Sequence, residues 1–227
     1  DAVVTRALFF DSLRIRRWTG ALGSYDAENC YDRVAHSITF IMAQSLGTPA
    51  NLIDCMFKTI QKMEFHLRTG YGDSTQTFGS DVQRSIQTLA TLPFQGLVQG
   101  NGAAPALWLL ISGYLVRYLH QKGHQNKLVS SITNSFLEYC AFIYVDDGDF
   151  PTFAISASES LASVVSRHQR LLNDWTGGLR AIGGALKAPK CFWYPISWCW
   201  IRGCPVYRSA RLCSSDIYIS AGLPSPR

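Results

Sequence analysis

Apolar and polar positions along this 227-residue chain follow two periods, which divide it into helical and strand-like segments. Apolar residues that recur every three or four positions predict helices. The predicted helices cover residues 31–46, 50–62, 105–121 and 156–176. The last one opens on Ser156 and Glu159, which have the spacing of a capping box, and ends or kinks at Gly177-Gly178.

Strand-like alternation fills most of the remaining chain. The predicted strands lie in residues 64–69, 75–78, 142–145 and 191–207, and the last range is rich in tryptophan and tyrosine. Residues 80–98 are polar and then turn-like, which predicts a loop that presents Gln99. The mixture of helices with hairpin-connected strands predicts an α+β fold with an antiparallel sheet.

Two adjacent carboxylates, Asp146 and Asp147, follow the apolar strand-like run that starts at Phe142. Burying two neighbouring anions is costly without a cation, so this arrangement favours a metal site. A second acidic cluster lies far upstream at residues 26–32, and a glycine-rich segment, 99–105, lies between the two. Taken alone, the aspartates also fit an exposed hairpin turn and a helix cap.

Composition narrows the class of protein. A hydrophobic fraction of 47% indicates a globular chain. The net charge is only +5, but if the five aspartates of the two clusters, Asp149 included, face a metal, the rest of the chain carries 21 basic against 11 acidic residues, which favours a polyanionic partner. Seven cysteines without a CxxC pair are typical of reduced thiols in an intracellular protein. The longest apolar run, Ala103 to Val116, is too short to span a bilayer, so no membrane segment is expected.

Four blocks of the chain carry a resemblance to a known enzyme family. In order, they read DAENCYDRVAHS, QGNGAAPALW, VDDGD and GGLRAIGGALKAPKCFWY. From about residue 20 to about residue 207 the chain resembles the palm of a reverse transcriptase of the non-LTR retroelement type seen in algae and other protists. The resemblance implies a right-hand polymerase palm, an antiparallel sheet backed by helices, with incomplete fingers and no thumb. It divides the chain into a lead-in (1–25), the palm (26–190) and a primer-grip-like aromatic hairpin with a tail (191–227).

The resemblance also implies catalytic roles. Asp26 and Asp146 match the two metal ligands of the family, Asp147 a supporting position that binds metal or only shapes the turn, and the carbonyl of Ala27 completes the first shell. The cofactor implied is a pair of Mg²⁺ ions, with Mn²⁺ as a substitute. Lys190 matches a lysine that protonates or pairs with departing pyrophosphate. Lys187 is a competitor for that role, and a solvated surface lysine is the alternative for either.

Nucleotide contacts are implied for two further segments. Tyr31 matches a bulky gate residue under the incoming sugar that favours deoxynucleotides, although, taken alone, it fits a buried aromatic at a helix start better. Gln99, Gly100 and Asn101 match a loop that touches the template and the incoming base pair, and the alternative is an ordinary glycine-rich turn.

The function implied is RNA-directed DNA polymerisation, with an RNA template, a DNA primer and dNTP as partners, in the nucleus and cytoplasm. The rest of the polypeptide is expected to supply fingers, thumb and an endonuclease, and the fragment alone is expected to polymerise poorly. Two alternatives stay open: a degenerate or domesticated palm that binds RNA without catalysis, and an RNA-dependent RNA polymerase palm. Tyr31 argues against the second, as does Val145 where that group commonly has glycine.

Overall fold

A computed structural model describes residues 2–79, 96–130 and 132–209 of the chain. In these ranges the helices are α1 (Ala2–Arg16), α2 (His36–Ser45), α3 (Ala50–Gln61), α4 (Ala104–Gln121) and α5 (Leu161–Ala181), with a 3-10 turn at Ala188–Lys190. The strands are β1 (Gly20–Asp26), β2 (Glu64–Thr69), β3 (Gly72–Gly79), β4 (Asn126–Val129), β5 (Phe136–Tyr139), β6 (Phe142–Tyr144), β7 (Asp147–Phe153), β8 (Phe192–Ile201) and β9 (Cys204–Ser209). The predicted loop at 80–98 lies almost wholly outside the described residues. None of the described helices is both long and apolar enough to cross a membrane.

The described residues form two compact units. The first contains the residues up to Asn29 and those from Ser112 onward, and the second contains Cys30–Ile111. The main sheet, α1 and α5 belong to the first unit, whereas α2, α3 and the β2–β3 hairpin belong to the second. The chain therefore leaves the first unit after β1 and returns to it within α4.

The main sheet has five strands in the order β6–β7–β1–β8–β9, and every neighbouring pair is antiparallel. Strand β1 occupies the centre, with β7 on one side and β8 on the other. The predicted aromatic hairpin is confirmed as β8 and β9. The predicted α+β class, an antiparallel sheet backed by helices, is also confirmed.

Helix α5 packs against one face of this sheet through aromatic side chains. The ring centroids of Tyr25 and Phe150 are 5.4 Å apart, and those of Phe150 and Trp175 are 4.7 Å apart. His168 of α5 stacks on Trp193 of β8 at 6.3 Å. All five side chains are at most 2% exposed, so this layer excludes water from beneath the central strand.

The opposite face of the sheet is covered at one end by α1. Phe9 and Leu13, one turn apart on the helix, pack against Leu22, Phe153 and Ile196 in a single apolar cluster. Burial of each such side chain stabilises the fold by about 1.5–3 kcal/mol. Residues 1–25, predicted only as a lead-in, thus supply both a helix and the central strand.

Helix α5 begins later and runs further than the sequence pattern predicts. Its N-cap is Ser160, whose side chain accepts a hydrogen bond from the backbone N–H of Ser163, and not Ser156. A predicted helix end at Gly177-Gly178 is wrong, because the helix continues to Ala181. A Cβ atom on Gly178 would lie 3.0 Å from a methyl carbon of Leu115, so this glycine serves close helix packing.

The second unit is held together around His36, at the start of α2. Its ring stacks on Phe57 with centroids 4.4 Å apart. Its Nε2 donates to the carbonyl oxygen of Gly96 at 2.6 Å, and Nδ1 accepts from the side-chain amide of Gln61 at 3.0 Å. The helix predicted from Tyr31 begins only at His36, because the preceding residues form turns.

Candidate active site

The acidic residues of the two sequence clusters meet at one end of the main sheet. In the register of β1 and β7, Asp26 is the direct antiparallel partner of Asp147. Side chains of directly opposed residues project from the same face of a sheet. Tyr25 points toward α5, and because side chains alternate along a strand, Asp26 projects from the other face. The Asp26 side chain is nevertheless only 8% exposed.

Asp146 lies in the tight turn between β6 and β7. The turn residues are Val145 and Asp146, whereas Asp147 and Gly148 begin β7. Val145 has φ +57°, a conformation that a β-branched residue rarely adopts and that stores strain. The N–H of Ala27 donates to the carbonyl of Asp146 at 3.1 Å and ties the turn to the end of β1.

Lys190 forms a salt bridge with the buried carboxylate. Its Nζ lies 3.0 Å from Oδ2 of Asp26. The hydrogen bond with Asp26 and the charge of the same carboxylate raise the pKa of Lys190, so the ammonium form is favoured. The backbone N–H of Lys187 donates to the carbonyl of Asp26 at 2.9 Å and fixes this segment beside β1. The Lys187 side chain points elsewhere and lies 3.6 Å from Oε1 of Glu28.

Negative charge is concentrated around Asp147. Partial removal from water raises its pKa, and the charges of Asp146 and Asp26 raise it further. The ammonium of Lys190 opposes this shift but does not reverse it. One ammonium therefore faces three carboxylates, and a further cation would lower the electrostatic energy of the cluster.

The chemistry of these donors fits Mg²⁺. Within the described ranges no three His, Cys, Asp or Glu side chains are arranged as a ready metal cage. Magnesium, however, is usually held by one or two carboxylates together with waters and substrate phosphates. Asp26 and Asp147 on paired strands, with Asp146 in the adjacent turn, supply hard oxygen donors of that type.

A buried hydrogen-bond network lies beneath the carboxylates, and sequence patterns did not predict it. The hydroxyl of Tyr25 lies 2.6 Å from Nε2 of His168, and Nδ1 of His168 lies 2.9 Å from Oγ1 of Thr152. Burial raises the pKa of the Tyr25 hydroxyl and lowers that of His168 to about 3, so both groups are neutral. The network fixes Tyr25, the residue directly before Asp26.

Gly23 makes room for this network. It is paired in register with both Phe150 and Trp193, whose large side chains flank it. A Cβ atom on Gly23 would lie 2.2 Å from the Tyr25 hydroxyl and 2.7 Å from Nε2 of His168. Any side chain at this position would therefore displace the network.

The other predicted site residues belong to the second unit. Tyr31 is half-buried, and its ring meets the edge of Trp108 with centroids 6.5 Å apart. The carbonyl of Tyr31 accepts from the N–H of Leu97 at 2.6 Å, which brings the Gln99 loop beside the Tyr31 segment. Gln99 itself is exposed to solvent.

Gly100 and Asn101 shape the turn that leads into α4. Gly100 has φ +90°, which favours glycine, and nothing lies within 4 Å of the place of its missing Cβ. Oδ1 of Asn101 accepts from the N–H of Ala103 at 3.0 Å, and its carbonyl accepts from that of Ala104 at 3.0 Å. Asn101 thus forms an Asx turn just before α4, a local role that its predicted template contact does not require.

The chain matches no protein-family model and no curated protein. Among solved structures it is similar to telomerase from Candida albicans in complex with a fragment of telomeric RNA, with a TM-score of 0.46 and 14% sequence identity. The match covers 95% of this chain and 34% of the telomerase chain, so the chain spans about a third of that protein's length. The likeness at this level is a distant one and assigns no activity.

Proposed function

We propose that the chain is the palm of an RNA-directed DNA polymerase of a non-LTR retroelement, of the algal and protist type. The reaction joins a dNTP to the 3′ hydroxyl of a DNA primer on an RNA template. The observation that carries the proposal is the pairing of Asp26 with Asp147 beside the turn that holds Asp146. Residues far apart in the sequence are thereby brought to the same end of one sheet, which supports the proposal. Lys190 on Asp26 supplies the only cation paired with this cluster among the described residues.

In this proposal Asp26, the carbonyl of Ala27 and Asp146 hold the metal, and Asp147 either joins them or shapes the site. These groups would hold Mg²⁺, or Mn²⁺ in its place, which would supply Lewis-acid activation of the attacking 3′ oxygen and positive charge for the leaving pyrophosphate. The protein's own contribution is to hold the buried Asp26 beside Asp147 on paired strands, with Asp146 in the adjacent turn. The Tyr25 network supports Asp26 from the opposite side of β1.

Lys190 is proposed to protonate the departing pyrophosphate or pair with its charge. Lys190→Met is expected to lower the rate of primer extension about 10²-fold or more, because a positioned proton donor contributes about 10²- to 10⁴-fold. Lys187→Met is the matched control, since Lys187 faces Glu28, and less than a threefold change is expected. Steady-state kinetics with RNA template and dNTP measure both, and equal losses in the two variants contradict the assignment.

The second unit is proposed to contact the nucleotides. Tyr31 would exclude a ribose 2′ hydroxyl, and Gln99, Gly100 and Asn101 would touch the template and the nascent base pair. The exposure of Gln99 and the open space around Gly100 support such contacts.

The proposal also includes the division of the chain into lead-in (1–25), palm (26–190) and aromatic hairpin with tail (191–227). Its other parts are fingers, thumb and endonuclease elsewhere in the polypeptide, and a site of action in the nucleus and cytoplasm.

Primer extension tests the function directly. The polypeptide that carries this chain with its natural flanking sequences is incubated with an RNA template, a DNA primer and Mg²⁺. Extension with dNTP but not with NTP is expected, and Asp146→Ala is expected to abolish it. Equal extension by both proteins rules out the catalytic assignment, whereas no extension by the native protein leaves a palm that only binds RNA. Preference for NTP identifies an RNA polymerase instead.

A further inference from the structure

A second site lies at the end of the sheet remote from the carboxylates. Strand β7 runs from Asp147 to Phe153, which separates its ends by about 20 Å at roughly 3.4 Å per residue. At the Phe153 end there is a pocket with a volume of about 330 Å³, which we call the far-end pocket. Its lining includes Arg16, Trp18, Gln125, Lys127, Phe153 and Arg167.

The far-end pocket combines cations with flat aromatic surfaces. The guanidinium of Arg16 lies 5.0 Å over the ring of Trp18, and its Nη2 donates to the carbonyl of Val129 at 3.4 Å. The ammonium of Lys127 lies 3.9 Å from the ring centroid of Phe136. Proteins that bind single-stranded nucleic acid use such planar groups to stack bases and such cations to contact phosphates.

Positive charge continues beyond the pocket. A smaller cavity of about 110 Å³ shares Asn126 and Arg167 with it and is also lined by Lys122 and Arg170. Three acidic residues lie nearby: Glu159 pairs with Arg167 at 2.9 Å and Asp174 with His124 at 2.7 Å. Glu138, the antiparallel partner of Lys127 in the β4–β5 register, lies 3.7 Å from His120. By contrast, four cations make no salt bridge with any carboxylate that the structure describes: Arg16, Lys122, Lys127 and Arg170.

The walls of the far-end pocket are fixed by buried hydrogen bonds. Asn126, only 6% exposed, donates to the carbonyl of Pro151 at 2.8 Å and accepts from the N–H of Phe153 at 2.8 Å, which clamps β4 onto β7. Arg167 donates to both carboxylate oxygens of Glu159 at 3.1 and 2.9 Å and also to the Phe153 carbonyl. A ligand would therefore meet a largely preformed site.

We propose that the far-end pocket and its basic rim bind a single strand of nucleic acid. One base would lie against the Arg16–Trp18 pair, and phosphates would contact Lys122, Lys127 and Arg170. A single strand fits better than a duplex, because only unpaired bases expose the flat faces that this pair can stack on. The proposal goes beyond the polymerase assignment and does not depend on it, since no residue of the pocket belongs to the carboxylate site.

Charge reversal at the rim tests the proposal. The double variant Lys127→Glu with Arg170→Glu is compared with Lys58→Glu with Lys62→Glu, an equal charge change at exposed residues near the end of α3. Fluorescence anisotropy measures binding of a labelled uridine oligonucleotide about 12 nucleotides long over a range of salt concentrations. The rim variant is expected to bind about tenfold more weakly or worse. The slope of its log binding constant against log salt concentration is expected to be shallower by about 1.4, because two phosphate contacts are lost. The α3 variant is expected to change affinity less than threefold.

Several results would overturn the proposal. The first is that the native chain does not bind the oligonucleotide, and the second is that both double variants bind it equally weakly. The third is that the native chain binds a polyglutamate chain of the same charge as tightly as the oligonucleotide, which would indicate a general polyanion-binding surface. Urea unfolding of both variants ensures that folded proteins are compared, and Lys122→Glu provides a second rim variant if the first does not fold. Asp146→Ala is expected to bind the oligonucleotide like the native chain, so loss of catalysis and loss of this site are distinguished.

Discussion

Asp26→Asn is expected to lower the rate of primer extension by about 10³-fold or more, because it removes a metal-binding charge without changing the size of the side chain. The amide can still lie beside Lys190, and β1 keeps its pairing with β7. The variant is therefore expected to fold. The free energy of unfolding, measured in urea, separates this loss of chemistry from a loss of structure.

The chain offers a matched control for Asp26→Asn. Asp149 lies two residues beyond Asp147 on the same face of β7, and its carboxylate is 3.5 Å from Nη1 of Arg6. Asp149→Asn removes an equal charge from the same strand pair, and less than a threefold loss of extension is expected. A loss in this variant comparable to that in Asp26→Asn contradicts the assignment, since general acidity of the sheet face would then explain both.

The contribution of His168 to stability is expected to disappear as the solution is acidified. Burial lowers the pKa of its imidazole to about 3, compared with 6.5 for an unperturbed histidine. Between these values the unfolded chain binds a proton that the folded chain does not, so acidification favours unfolding. The contribution is complete above pH 6.5 and decreases by about 1.4 kcal/mol for each pH unit below it.

His168→Gln isolates this effect, because glutamine can still hydrogen-bond to Tyr25 and Thr152 but does not titrate. Urea unfolding at pH 7 and pH 5 gives the free energy of unfolding of both proteins. From pH 7 to pH 5 the free energy of unfolding of the native protein is expected to fall by about 2 kcal/mol more than that of the variant. An unchanged difference would show that His168 becomes protonated in the folded state and that the network is not sealed from water.

Local patterns in the sequence were sufficient for several elements. The apolar run before Asp146 predicts β6, and the alternating aromatic residues after Cys191 predict β8 and β9. Helix α3 was predicted at 50–62 and observed at Ala50–Gln61, because its apolar positions form a clear stripe and Pro49 marks its start. In these segments the burial of one face is already visible as periodicity.

Other elements lack a clear stripe, and the sequence pattern missed them. In α1, Val4, Leu8 and Ile15 are exposed while Phe9 and Leu13 are buried, so apolar residues surround the helix and no single face stands out. The β4–β5 hairpin exposes half or more of the Phe136 and Leu137 side chains and was not predicted at all. One usable signal was Asn134, which has φ +55° in its turn, a conformation that asparagine tolerates well.

Sequence patterns likewise predict only part of the candidate site. Asp146 was identified as one of two adjacent carboxylates after an apolar run, and the resemblance assigned the roles of Asp26 and Lys190. Their contacts depend on strand register, which no local pattern predicts. The link from Tyr25 to His168 joins residues of β1 and α5 that lie far apart in the chain. A histidine on the apolar face of a helix gives no sequence signal that separates a hydrogen-bonded core residue from any other.

The middle position of β1 in its sheet bears on how the protein can be shortened. Removing the first 26 residues would leave β7 and β8 facing each other across a missing strand, with two rows of backbone donors and acceptors unsatisfied. Such a truncation exposes unpaired sheet edges and promotes aggregation, even though it deletes only one of the proposed acidic ligands. Expression boundaries chosen from the acidic motifs alone would therefore yield insoluble material, and any shortened version has to retain Gly20–Asp26 together with the helix that covers it.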